Sequence, residues 1–190
     1  SYNKPIRDIS LAAAKSITKE KIIQACKYRM VADVPVGIFL SGGYDSTAVT
    51  AILQENSTQK LKTFTIGVED EVLNEAPFAA QIAQHLGTDH HSFTCTTAYA
   101  LEVIPKLAEM YDEPFGDSSA IPTYLVSKMA REQVTVALSA DGGDELFAGY
   151  NRYDYLVKYT KTIGRLPKVI RKTGAKIMHW IPADSIPVMR

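Results

Sequence analysis

A short, almost unbroken apolar run, Val34-Pro-Val-Gly-Ile-Phe-Leu40, ends directly on the small polar segment Ser41-Gly-Gly-Tyr-Asp-Ser46. An apolar run this short, bounded by turn-forming residues, reads as a strand buried on both faces. Such strands belong to parallel sheets, which need a crossover between neighbours, usually a helix. The following residues supply one: Thr47, Ala48, Val49, Ala51, Ile52 and Leu53 fall at helical spacing, with Asp45 or Ser46 as the expected N-cap. Residues 61–68 read as the next strand. Asn74 is placed to cap a helix through Phe78, Ala79, Ile82 and Ala83 that stops at Gly87, and residues 90–95 make a third strand. A helix over 97–110, a polar loop over 112–119 and a helix with Ile121, Tyr124, Leu125 and Met129 on one stripe precede a fourth strand over 134–140. A helix over about 10–32 leads into the first strand. Helices alternating with short apolar strands predict an α/β fold: a parallel sheet with helices on both faces, whose ligands gather outside the carboxyl ends of the strands.

Composition narrows the partners. With 190 residues, 46% of them hydrophobic, the chain holds enough apolar material for one domain, or one domain and part of another. Lys plus Arg and Asp plus Glu both total 21, so no excess of positive charge argues for nucleic acid or an anionic membrane, and a small molecule is the expected partner. The apolar run at 34–40 is far too short to span a membrane and the N-terminus does not resemble a signal peptide, so a cytoplasmic protein is expected. Cys26 and Cys95 lie far apart with no C-x-x-C pattern, which indicates neither a disulfide framework nor a zinc site. His90 and His91 are adjacent on a presumed strand, so their side chains point to opposite faces and do not share a metal. Tyr150, Tyr153, Tyr155 and Tyr159 lack a basic groove beside them and read as helix packing and partner contact rather than base stacking. The lysines and arginines between Lys158 and Lys176 read as a solvated face.

Two segments carry chemistry, and both follow strands. In residues 41–46, unpaired N–H groups and the helix dipole favour a phosphate, the glycines let backbone approach closely, and Ser41 and Ser46 add hydroxyl donors. Asp45 is a carboxylate placed to hold a magnesium ion against phosphates. No G-x-x-x-x-G-K-[ST] is present and the loop has no lysine, which disfavours simple γ-phosphate hydrolysis. Behind the last strand, Leu138-Ser-Ala-Asp-Gly-Gly-Asp-Glu-Leu-Phe-Ala-Gly-Tyr-Asn-Arg-Tyr153 packs three carboxylates and three glycines. Like charges this close repel, so a metal or cationic ligand is their natural partner.

The first segment resembles S-G-G-x-D-S, the pyrophosphate loop (PP-loop) of the ATP pyrophosphatase family, whose members attack the α-phosphate of ATP and release pyrophosphate. With Asp33-Val-Pro-Val-Gly-Ile-Phe-Leu40, Phe64-Thr-Ile-Gly-Val68, Glu75-Ala-Pro-Phe-Ala-Ala80, His85-Leu-Gly-Thr-Asp-His-His91, Asp112-Glu-Pro-Phe-Gly-Asp-Ser-Ser-Ala-Ile-Pro-Thr-Tyr124 and the acidic segment, residues 31–153 resemble the synthetase domain of glutamine-dependent asparagine synthetases. The resemblance implies a leading helix over 1–32, a PP-loop synthetase core over 33–153 and a helical C-terminal segment over 154–190. It implies ATP and Mg²⁺ as cofactors, with Ser41, Gly42, Gly43, Asp45 and Ser46 on the pyrophosphate and Asp45 and Asp144 as metal ligands. It also implies that Phe39, Leu40, Ile66, Ser139 and Ala140 line the adenosine site, and that Asp141 is the catalytic acid linked to acyl-adenylate formation. Asp117, Ser118 and Ser119 match part of a substrate-carboxylate pocket. The implied reaction adenylates a carboxylate, aspartate in the family, for amidation by ammonia, and is compatible with a homodimer.

Three departures modify that picture. Asp141 is shorter than the glutamate of some members and Ala140 stands where glycine is frequent, changes that nucleotide binding should survive. Ser118 and Ser119 stand where some asparagine synthetases place an arginine, the better bidentate partner for a carboxylate. Such enzymes carry an N-terminal glutaminase domain beginning with a nucleophilic cysteine, whereas this chain begins Ser1-Tyr-Asn. The expectation is a fragment without the glutaminase and without the later lysine and helices that close the synthetase site. The competing readings are a PP-loop ligase with another acceptor, a tRNA-thiolating enzyme, which the lack of a basic surface and of extra cysteines disfavours, and a nucleotide-binding module without catalysis.

Overall fold

Four short strands and the helices between them build the first of two compact units, Ser1–Asp141 and Gly142–Arg190. The structure is a computed structural model and describes residues 8–113 and 116–179. In the first unit the order is α1 (Leu11–Arg29), β1 (Val36–Phe39), α2 (Tyr44–Glu55), β2 (Lys62–Val68), α3 (Ala76–Leu86), β3 (Asp89–Cys95), α4 (Thr97–Met110), α5 (Ala120–Arg131) and β4 (Val136–Leu138). All strand pairings are parallel and the sheet order is β3-β2-β1-β4. The chain therefore moves outward from β1 to β3 on one side and returns to pair β4 on the other. The reversal lies between β1 and β4, where Ile38 faces Leu138.

The alternation of side chains along β1 and β2 assigns the helices to faces. Ile38 packs with Cys26 of α1 and Leu53 of α2, and Leu40 packs with Ala79 and Ala83 of α3. On the opposite face Phe64, with Phe39 and Ile66 beside it, packs against Val126 and Ala130 of α5, while Cys95 packs with Val103 of α4 and Leu125. Phe64, Ile38 and Leu40 are at most 1% exposed, and burying each stabilises the sheet by about 1.5–3 kcal/mol. The Phe64 ring lies over Gly37, where a Cβ would come within 2.5 Å of it.

Local chemistry sets the boundaries. Ser10 Oγ accepts the Ala13 N–H at 3.2 Å and caps α1, Gly87 closes α3 in the left-handed region at φ 72°, and Thr96 Oγ1 caps α4 through the Tyr99 N–H at 3.3 Å. β1 begins two residues later than the apolar run because Pro35 has no N–H for the ladder; its carbonyl accepts the Thr135 N–H at 3.1 Å instead. β4 is shorter than the predicted 134–140. Val134 ends the preceding turn, donating its N–H to Ala130 O at 2.8 Å, and Ser139 and Ala140 leave the ladder.

Other expectations resolve within this frame. Cys26 and Cys95 are free and buried, and burial raises both thiol pKa values. His90 and His91 do point to opposite faces: His90 Nδ1 bonds Thr63 Oγ1 at 2.9 Å, and the His91 ring stacks on Phe64. No described helix is long and apolar enough to cross a membrane.

The second unit is helical, with α6 (Gly143–Phe147), α7 (Asn151–Thr162), a 3-10 turn (Ile163–Arg165) and α8 (Lys168–His179). Tyr150 and Tyr153 sit ring to ring at 5.8 Å, whereas Tyr155 and Tyr159 are exposed. Residues 180–190 lie outside the described residues.

Candidate functional site

The carboxyl ends of four parallel strands share one edge of the sheet, and the crevice beside its reversal point is where such folds bind ligands. Both sequence segments emerge there. Three residues beyond Ile38 is Ser41, and three beyond its partner Leu138 is Asp141. The register thus ends β1 and β4 at the same edge of the sheet, the one leading into residues 41–46 and the other into Ser139, Ala140 and Asp141.

The loop is held by its own hydroxyls. The Ser41 N–H donates to Ser46 Oγ at 3.2 Å, the two serine hydroxyls bond each other at 3.0 Å, and the Gly43 N–H donates to Ser41 Oγ at 3.2 Å. Ser46 Oγ in turn donates to Gly43 O at 3.3 Å. Ser46 is 7% exposed and spends its hydroxyl on this ring, so neither it nor Asp45 is the N-cap of α2 as predicted. The N-cap is Gly43, with no side-chain bond, and both residues fall in the first turn. Among the described residues the N–H groups of Tyr44, Asp45 and Ser46 have no acceptor, and they are orphan donors at a helix start. Asp45 is exposed beside them, without a partner among the described residues. The buried hydroxyl of Thr47, two residues after Asp45, also lacks a partner among the described residues.

Below the loop the backbone is committed to the sheet. The Leu40 N–H donates to Phe64 O at 2.9 Å, and the Thr65 hydroxyl donates to Leu40 O. Leu40 therefore anchors the loop, with both backbone groups engaged. Phe39 and Ile66 are half-buried on the α5 face, and Phe39 lines a groove of about 550 Å³ with Tyr124, Lys128, Arg131, Val136 and Ala137. Ser139 and Asp141 are exposed and Ala140 is half-buried.

Two groups of predicted residues stand elsewhere. Asp117 Oδ1 accepts the Ser119 N–H at 2.8 Å, which holds its carboxyl below the usual carboxylate range and ties the exposed Asp117, Ser118 and Ser119 into the turn before α5. No hydrogen bond joins that turn to residues 41–46 among the described residues. Asp144 belongs to the second unit, in the first turn of α6, where the Gly149 N–H closes on its carbonyl at 3.0 Å. Its neighbour Glu145 accepts the Tyr150 hydroxyl at 2.6 Å, a bond that lowers the Glu145 pKa and raises that of Tyr150, while Arg152 stacks 4.0 Å above the ring. One of the three clustered carboxylates thus has a protein partner. Sequence reasoning missed two supports of the site, the Thr65 hydroxyl and Glu69, which follows β2 and accepts both the N–H and the hydroxyl of Thr97 at 2.8 and 3.0 Å. Only the glycine at Gly67 signalled a close approach at that strand end.

A family model described as Asparagine synthase matches residues 18–185. The chain belongs to the asparagine synthase family. A putative asparagine synthetase [glutamine-hydrolyzing] 2 of Methanocaldococcus jannaschii is 44% identical over 84% of this chain, and asparagine synthetase [glutamine-hydrolyzing] 1 of Bacillus subtilis is 36% identical over 89%. The chain spans 31% and 26% of the lengths of these two relatives. The structure of NMN synthetase from Francisella tularensis superposes with a TM-score of 0.51 at 14% identity, covering 75% of this chain and 59% of that one, a likeness of fold alone. The parallel sheet with helices on both faces is thus the fold expected from the sequence.

Proposed function

We propose that this asparagine synthase family chain is the ATP-handling part of a ligase that adenylates a carboxylate, aspartate by the family pattern, so that ammonia displaces AMP. The observation that carries it is the row of unpaired N–H groups at Tyr44, Asp45 and Ser46, set at the sheet reversal beside Asp141. An oligophosphate satisfies those donors and meets the positive end of the α2 dipole, while the Ser41 and Ser46 hydroxyls hold the loop in shape without a lysine.

The donor set fits magnesium. Among the described residues no group of three or more His, Cys, Asp or Glu converges, and magnesium is commonly held by one or two carboxylates plus phosphate oxygens. Asp45, exposed and unpaired among the described residues next to the proposed phosphate donors, would hold it. The ion, when bound, neutralises charge developing on the departing pyrophosphate. The protein binds and orients the phosphates through residues 41–46, sets the adenosine against the strand ends at Phe39, Ile66, Ser139 and Ala140, and presents Asp141 beside the transferring centre. Asp117, Ser118 and Ser119 are proposed for the acceptor carboxylate. In the whole protein the ammonia would come from a glutaminase domain, in keeping with the glutamine-hydrolyzing asparagine synthetases among the relatives.

Titration calorimetry tests the reading. The chain should bind ATP with magnesium, and Asp45→Ala should weaken that binding by about tenfold or more, the scale of a charge-assisted contact. Equal affinity of mutant and parent chain with magnesium present would remove Asp45 from the site.

A further inference from the structure

The first turn of α3 touches two of the site's strand ends at their glycines. Gly42, in the middle of the phosphate loop, has φ +90°, and a Cβ there would lie 3.2 Å from the Ala79 nitrogen, 3.3 Å from Phe78 Cβ and 3.4 Å from Glu75 O. Gly67, near the end of β2, would place a Cβ 3.0 Å from both Ala76 Cβ and Asn74 Oδ1. The same turn packs Ala79, wholly buried, against Leu40 at the base of the loop. What holds the turn in place is Asn74, whose Oδ1 accepts the Ala76 N–H at 3.1 Å while lying against Gly67. The N-cap position itself, Glu75, makes no side-chain cap, so Asn74 supplies the side-chain bond at this helix start.

We infer that the start of α3 is a positioning element for the phosphate loop, with Asn74 as its latch. The loop has no lysine or arginine to draw phosphates in, so its affinity depends on amide donors aimed in advance, and aim is set by what the loop backbone rests on. It rests on α3: the space a Cβ of Gly42 would take is bounded by the Ala79 nitrogen, Phe78 Cβ and the Glu75 carbonyl, so the loop and the helix start approach closely only because residue 42 is glycine. A shift of α3 away from Gly67 would release that support and leave the amides of residues 44–46 pointing variably. Asn74 touches no ligand in this scheme; it acts through Ala76 and Ala79 on Gly42. The inference rests on the proposed phosphate role of residues 41–46.

Two readouts on the 190-residue chain separate that role from the latch. The first is amide hydrogen exchange without ligand, where Asn74→Ala should speed exchange at the hydrogen-bonded amides of Ser41, Gly43 and Thr47 by about tenfold relative to β2, the loss of one hydrogen bond's worth of local protection. Asn74→Asp, which keeps the acceptor oxygen, should restore it. The second is calorimetry with magnesium pyrophosphate and with AMP, where Asn74→Ala should weaken pyrophosphate by about tenfold and AMP by less than about twofold. Unchanged exchange at Ser41, Gly43 and Thr47, or exchange that rises equally throughout the sheet, would overturn the latch. Failure of the parent chain to bind magnesium pyrophosphate would instead overturn the phosphate reading, and the exchange data would still decide whether Asn74 holds the loop.

Discussion

Gly42 and Gly43 are neighbours in one loop, yet substitution meets different obstacles at the two. Gly42 combines φ +90° with close contacts to the backbone of α3, whereas Gly43 has an ordinary φ of −70° and a Cβ there would meet only Ser41 Oγ at 3.3 Å. Gly42→Ala should therefore cost about 1–3 kcal/mol in urea unfolding and Gly43→Ala much less, because strain at positive φ adds to the crowding. Ser46→Ala should cost about 1–3 kcal/mol, since the Ser41 N–H loses its buried acceptor. Much of this was legible in the sequence: the pairing of small and hydroxyl residues in Ser41-Gly-Gly-Tyr-Asp-Ser46 announced a tight, donor-rich turn. The Thr65 bond to Leu40 was not, because it joins positions 25 apart that become neighbours only when β1 and β2 pair in register.

At the scale of elements, carboxylates tie strand ends and loops to helix starts. Glu69 joins the end of β2 to the first turn of α4, and Asp117 binds the turn before α5. Hydrogen bonds from Thr97 and Ser119 hold both carboxyls below their ordinary values, so the folded state favours the ionised forms. A carboxyl with a depressed folded value contributes stability that is present above its unfolded pKa and lost as pH falls through the folded one. Urea midpoints should accordingly decline on acidification through and below the ordinary carboxylate range, and Glu69→Gln should flatten part of that decline while lowering the midpoint at neutral pH. A slope unaltered by Glu69→Gln would show that this tie carries no linkage. The sequence placed the described helices and strands of the first unit, because short apolar runs and helical stripes are separated by turn-forming residues. It misjudged β1 and β4, whose lengths depend on Pro35 and Val134 bonding outside the ladder.

For the molecule as a whole, binding and turnover should part company. The first unit has its sheet, both helical layers and the loop proposed for phosphate, so magnesium ATP should raise the melting temperature, with stabilisation of about 2.7 kcal/mol at a hundredfold excess over Kd. Adenylation asks for more, namely positive charge near the transferring phosphoryl group and exclusion of water. Residues 41–46 and 139–145 contain no lysine or arginine, and Asp45, Ser139 and Asp141 are exposed. The expected outcome is no AMP from ATP, aspartate and ammonia with this chain, checked by chromatography. In a full-length enzyme carrying the segment, Asp141→Asn should abolish aspartate-dependent pyrophosphate exchange while leaving nucleotide affinity within about twofold, because that carboxyl is assigned to chemistry rather than binding. Which acceptor is used was least legible, as Asp117, Ser118 and Ser119 form a local turn closed by the Asp117 carboxylate on the Ser119 N–H.

The pairing of Val36 with Val136 spans a hundred residues of chain. Closing so large a loop is entropically unfavourable until the intervening sheet and helices have condensed, so β4 docks on a nearly finished unit. During synthesis the phosphate loop would leave the ribosome long before Asp141 arrives beside it. The sheet edge that joins residue 41 to residue 141 is thus expected to be completed last: a nascent chain halted before β4 would carry the unpaired amides of residues 44–46 without Asp141.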